Sequence, residues 1–264
     1  VSTPRARERT VTAAGQRVRV WESGEGPTLG FLGGLRGLPR WPEVLDRLAI
    51  RRRVVAPSLP GFPGGAPHDG LDDIADWVTA TLDLLDASGL SGADLLGCSI
   101  GGTLAAEAAC FSRASVGRLA LVSPLGLFDA AEPVADLWAQ RDDELPGLLS
   151  AQPQRLESFL AQPEDDDQPE VEWQIALTRA SESAARLLWP LGDRGLAKRL
   201  HRIQSPTLLL WGTRDRVVPA SYAKRFADRI SGWVEIRSIE GAGHMAEIDR
   251  PAAVAEAVLG FLGD

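Results

Sequence analysis

Cysteine is scarce in this chain, with only Cys98 and Cys110 among 264 residues. Two thiols cannot build a disulfide framework, and their spacing is not the CxxC of a metal or redox site. A reducing compartment and a fold held by its own core are therefore expected. Positive charge is also short: the formal net charge is −8. That excludes the clustered Lys and Arg of a sequence-independent grip on nucleic acid. Aromatic residues make up 6%. No long apolar run is present; the longest, around residues 95–111, contains Glu107 and many small residues, which suits a buried core helix and not a membrane span. No apolar segment follows the charged start "VSTPRARERT", so no secretory signal is expected and the predicted location is cytoplasmic. The acidic stretch "AQPEDDDQPE" (161–170) lacks the spacing of a calcium loop and reads as solvated chain. The basic run Arg51-Arg52-Arg53 reads as a solvated strand entrance.

What is present is an alternation. "RVRVWES" (17–23) alternates apolar and polar residues as a half-exposed strand does. "TLGFLGG" (28–34), "RVVAPSLPG" (53–61), "ADLLGC", "RLALVSP" (118–124), "PTLLLWG" (206–212) and "WVEIRSI" (233–239) read as short strands. Helical spacing appears in 41–49, in 71–89 with acidic first-turn residues and a glycine stop, in "GGTLAAEAACF", in 221–230 and in 251–262. Apolar strands alternating with helices predict an α/β fold with a mostly parallel sheet covered on both faces. Residues 128–195 break the alternation: they hold helical pieces and no strand-like run. The predicted organisation is one core from 1–127 and 196–264, with 128–195 as a helical cap inserted into it.

Three short segments carry chemistry. Gly97-Cys98-Ser99-Ile100-Gly101 fits G-x-S-x-G between a strand and a helix. Small residues two before and two after leave room for a serine in strained backbone, and the following helix offers free N–H groups for negative charge. Cys98, beside the serine, reads as a packed thiol. A serine needs a base, and the choices are His68, His201 and His244. His201 lies in a basic segment and reads as surface; His68 lies in a loop that could approach the serine. His244 leads, because "IEGAGHMAEIDRP" follows the last strand directly. The base needs a carboxylate, and Asp215 stands just past strand 206–211. An Asx-turn role before the helix at 221 is the plain alternative for it. The order Ser99, Asp215, His244 is that of α/β-hydrolases.

Over its whole length the chain resembles the α/β-hydrolase superfamily. "GCSIG" is similar to its nucleophile elbow, "GTRDRVVP" to its acid loop and "GAGHMAEIDRP" to its histidine loop and final helix. "APSLPGFPGG" is similar to a further family loop, with Ser58 where Asp is common. The resemblance implies the α/β-hydrolase fold and a helical cap between the sixth and seventh strands. It also implies an oxyanion hole from the backbone N–H groups of Leu35 and Ile100. "FLGGLRG" departs from the family pattern, with Gly33 where a histidine usually stands.

The expected reaction is acyl transfer through an acyl-enzyme on Ser99, with no metal or organic cofactor. Phe128, Trp138, Phe159, Trp173, Leu187, Leu188 and Trp189 supply apolar surface in the cap, some of it only glue. Gly34, Arg36, Trp138, Trp189 and Met245 are the candidate pocket residues. Arg36 reads either as a solvent-facing arginine or as a counter-ion for an acidic substrate. The favoured substrate is a small-to-medium apolar or aromatic carboxylic ester. Alternatives are C–C cleavage of ring-cleavage products (vinylogous diketones), lactone hydrolysis, perhydrolysis, and a non-catalytic ligand receptor on the same fold. The expected partner is a small molecule, with no nucleic acid and no membrane, in a monomer or a homodimer.

Overall fold

Hydrophobic side chains in the inner strands point alternately to two separate cores, and this follows from the period of two along a strand. In the strand Thr207–Gly212, Leu209 and Trp211 join one apolar cluster, and Leu208 and Leu210 join the other. The computed structural model describes residues 6–67, 69–164 and 168–263. Eight strands are β1 (Arg7–Ala13), β2 (Gln16–Ser23), β3 (Thr28–Leu32), β4 (Arg53–Pro57), β5 (Asp94–Cys98), β6 (Leu119–Val122), β7 (Thr207–Gly212) and β8 (Val234–Ile239). They form one sheet in the order β1-β2-β4-β3-β5-β6-β7-β8. The β1–β2 and β2–β4 pairs are antiparallel and all others are parallel.

The helices are α1 (Glu43–Leu48), α2 (Ile74–Ser88), α3 (Ser99–Phe111), α4 (Leu145–Leu149), α5 (Pro153–Leu160), α6 (Glu170–Leu188), α7 (Leu196–Arg199), α8 (Ser221–Ala227), α9 (Ala246–Asp249) and α10 (Pro251–Leu262). Trp77, Leu84 and Leu85 of α2 and Leu104 of α3 pack on one sheet face; Val44, Leu45 and Leu48 of α1 and Val254 and Val258 of α10 pack on the other. α2 starts where Asp73 and Asp76 form a reciprocal capping box and stops at Gly89, left-handed at φ 76°. Among the described residues between β6 and β7 there are four helices, α4 to α7, and no strand. No helix among the described residues is long and apolar enough to cross a membrane.

The strand order places the site. The chain runs from β3 outward to β4, then returns to lay β5 on the other side of β3. Neighbouring loops at the carboxyl ends of β3 and β5 therefore diverge and leave a crevice. The loop 33–37 and Ser99 stand at that point.

One strand goes beyond the sequence reading, and one reading is corrected. β1 carries no apolar run ("RERTVTA") because it is an edge strand with mostly exposed side chains; its pairing with β2 makes it a strand. Arg52 is not solvated. It is only 4% exposed, its Nη1 lies 3.1 Å from Asp94 Oδ2, and its Nη2 donates to the Leu262 carbonyl at 3.1 Å. A guanidinium at the carboxyl end of α10 meets free helix carbonyls, which draws it inward. Arg53 pairs with Glu22 at 2.6 Å nearer the surface. Arg52→Ala is expected to cost about 2–3 kcal/mol, and Arg53→Ala about 1 kcal/mol or less, measured as shifts of the urea midpoint.

Candidate active site

The turn from β5 into α3 forces Ser99 into left-handed backbone, φ 50°. For a residue with a Cβ that is strained. Close packing holds it there. A Cβ on Gly97 would lie 2.6 Å from the Gly101 carbonyl oxygen, and one on Gly101 would lie 2.3 Å from that of Leu32. Neither contact is possible for a side chain, so the helix meets the strand ends at glycine distance.

Ser99 Oγ lies 2.8 Å from Nε2 of His244, and both residues are buried. His244 Nδ1 lies 3.1 Å from Asp215 Oδ2. Asp215 accepts the backbone N–H groups of Val217 and Val218 on its other oxygen, at 2.8 and 2.9 Å. Asp215 thus uses one oxygen for an Asx turn and the other for His244. Burial alone would raise its carboxyl, but His244, the Val218 N–H and the Ser123 hydroxyl outweigh burial and hold it below the usual range. An ionised Asp215 accepts a hydrogen bond from Nδ1–H, which leaves Nε2 free to accept from the serine hydroxyl.

The residues before and after β3's glycines are packed tightly. Gly37 N–H donates to the Gly34 carbonyl at 2.8 Å and closes a turn around Leu35 and Arg36. Leu35 and Ile100 are both buried. Arg36 does not point to solvent. Its Nη1 donates to Ser181 Oγ and, at 3.4 Å, to the Leu177 carbonyl, both on α6, and its Nε is buried with no partner among the described residues. Burial lowers the Arg36 pKa from its ordinary value, and Asp142 opposes that shift from a distance.

The other candidate positions fall into distinct places. A Cβ on Gly34 would lie 3.5 Å from Ser99 Cβ, so this residue borders the serine directly. Met245 is buried, and its N–H donates to the Leu149 carbonyl of α4 at 2.9 Å. Trp138 is half-buried and gives its indole N–H to the Ser181 carbonyl at 3.2 Å. Trp189 is 53% exposed where α6 ends. Phe159, Trp173, Leu187 and Leu188 are buried in packing, and Phe128 is 38% exposed. His201 is on the surface. His68 and the acidic residues Asp165, Asp166 and Asp167 lie outside the described residues. Cys98 is fully buried, and burial with the neighbouring Glu247 pushes its thiol far up, so it stays protonated. No group of three or more metal-ligating side chains is found among the described residues.

Two carboxylates in "MAEIDRP" were missed from sequence. Asp249 Oδ2 accepts the N–H groups of Gly243 and Ala151 at 2.7 and 2.8 Å, and its Oδ1 accepts from Ser150 Oγ. It thereby clasps the histidine loop to the segment between α4 and α5. Glu247 is buried beside Cys98 and Gly34. The only signal in the sequence was two acids within five residues of a histidine, in a run otherwise apolar.

The model of a family described as the alpha/beta hydrolase family matches residues 31–257. The chain is similar to a 2-hydroxymuconate semialdehyde hydrolase of Pseudomonas sp. (strain CF600), 27% identical over 97% of this chain and 94% of the relative. It is similar to the carboxylesterase YbfK of Bacillus subtilis (strain 168), 24% identical over 90% of this chain and 81% of that protein. Among solved structures it shares its fold with 2-hydroxy-6-oxo-6-phenylhexa-2,4-dienoate hydrolase from Rhodococcus sp. strain RHA1. That match has a TM-score of 0.73 at 20% identity, over 99% of this chain and 100% of that one. The eight-stranded sheet, the elbow at Ser99 and the match over most of its length identify the chain as a member of the alpha/beta hydrolase family.

Proposed function

We propose that this protein is a serine hydrolase that cleaves small-to-medium apolar or aromatic carboxylic esters through an acyl-enzyme on Ser99. The hydrogen-bonded chain Ser99–His244–Asp215, with Ser99 raised on a positive-φ elbow, carries the reading. His244 takes the hydroxyl proton as Ser99 attacks the carbonyl carbon. The same proton then goes to the leaving group, and water, activated by His244, resolves the acyl-enzyme. Asp215 holds the imidazole in the tautomer this requires. The N–H groups of Ile100, at the start of α3, and Leu35, in the closed 34–37 turn, receive the oxyanion. Residues 128–195 act as the cap over this site.

A second reading, C–C hydrolysis of an acidic ring-cleavage product, has one observation in its favour. Arg36 keeps a buried N–H without a partner among the described residues next to the proposed oxyanion turn, and a substrate carboxylate would complete it. A relative at 27% identity is a 2-hydroxymuconate semialdehyde hydrolase.

Ser99→Ala is expected to abolish labelling by a fluorophosphonate and to lower ester turnover at least about a thousandfold. A variant that keeps its activity removes Ser99 from the mechanism. Asp215→Asn should lower kcat by about 10³- to 10⁴-fold through the wrong imidazole tautomer, tested by steady-state kinetics on p-nitrophenyl esters of varied chain length. Arg36→Gln separates the two substrate classes. If the acidic dienoate is the substrate, its KM rises by about tenfold or more, and far more than the KM of a neutral ester.

A further inference from the structure

The carboxyl of Glu247 stands beside the 33–37 loop and the elbow at Ser99. A Cβ on Gly34 would lie 3.3 Å from its Oε1 and 3.5 Å from Ser99 Cβ, so the carboxyl stands directly behind the 33–37 loop. On the elbow, the Cys98 thiol is near enough for this carboxyl to push its pKa up, after burial itself. On its own loop it follows His244 by three residues, on α9. The side chain is only 3% exposed, and Oε2 has no partner among the described residues.

A buried carboxylate needs a cation or several donors. The groups facing Glu247 offer little. Cys98 stays a neutral thiol, Asp249 and Asp215 are acids, and only His244 can carry positive charge toward it. Arg40, Glu43 and Arg155 line, together with Glu247, a groove of about 450 Å³ beside α1 and α5. Arg155 is spent on Glu43 at 2.7 Å, and Arg40 donates to the Ser158 carbonyl at 2.9 Å. The groove brings solvent close enough for the carboxyl to exchange its proton.

We propose that Glu247 is a positioning residue that must be uncharged for Ser99 to react at full rate. Neutral, it fills the space behind Gly34 and braces the elbow against the oxyanion turn. Ionised, it sets a negative charge behind the turn on which negative charge develops in the transition state. Burial is the largest influence on this group and pushes it up to about 7, against the pull of its own backbone N–H and of His244. Its charge therefore changes near neutral pH. The inference rests on the serine-hydrolase reading above.

The test is the second-order rate of fluorophosphonate labelling from well below to well above about pH 7, for wild type and Glu247→Gln. The wild-type rate should fall about tenfold, relative to Glu247→Gln, as pH rises through about 7 and Glu247 ionises. Glu247→Gln, isosteric and permanently neutral, should show no such fall. Linkage gives a second readout. The native state holds the Glu247 proton above the ordinary carboxylate range, so wild type loses stability relative to Glu247→Gln as pH rises from there through about 7. The Tm advantage of Glu247→Gln should grow over that window and then level. A wild-type profile without the alkaline fall overturns the proposal whether or not the variant folds. So does a fall that survives in Glu247→Gln, or a Tm difference that ignores pH. Wild type that is not labelled at all, or labelling that survives Ser99→Ala, overturns the serine-hydrolase reading itself.

Discussion

The site depends on one steric condition: α3 must start within backbone distance of the ends of β3 and β5. Glycine at 97 and 101 permits carbonyl and Cα atoms to approach where a Cβ would lie 2.3–2.6 Å from a carbonyl oxygen. That approach drives Ser99 to φ 50° and lifts its hydroxyl out of the sheet. It also brings the loop after β3 against the elbow, so that Gly34 borders Ser99. Relax the approach by an ångström and the serine, the turn and the first amides of α3 no longer share one point.

The histidine side of the site is held by charge rather than by sterics. Asp249 collects N–H groups from Gly243 and Ala151 and the Ser150 hydroxyl, and Met245 N–H reaches Leu149. The histidine loop is thus fastened to the α4–α5 segment, which lies between β6 and β7. Arg36 performs a similar service from the other side, running from the 34–37 turn to α6. The helices between β6 and β7, with the segment joining them, therefore hold both His244 and the 34–37 turn beside Ser99. Movement of these helices would be felt at Ser99 and His244 through these polar contacts.

Much of this was legible in the linear chain. The parallel sheet follows from apolar strands without alternation, and the order of Ser99, Asp215 and His244 at three strand ends marked the site. The exceptions share a cause. β1 escaped because an edge strand with one solvated face has no need of apolar residues. Arg52 escaped because its partners, Asp94 and the Leu262 carbonyl, lie 42 and 210 positions away.

Local sequence determined which residues could form an elbow, a turn or a strand, because those depend on sterics and burial over a few positions. Only the tertiary structure decided where charge is buried. Arg36 and Glu247 each keep one buried polar atom without a partner among the described residues, and nothing in "GGLRG" or "MAEID" indicates it. The cost of burying a charge is set by what other segments bring to it, and those segments meet only when the sheet has closed around the switch point between β3 and β5.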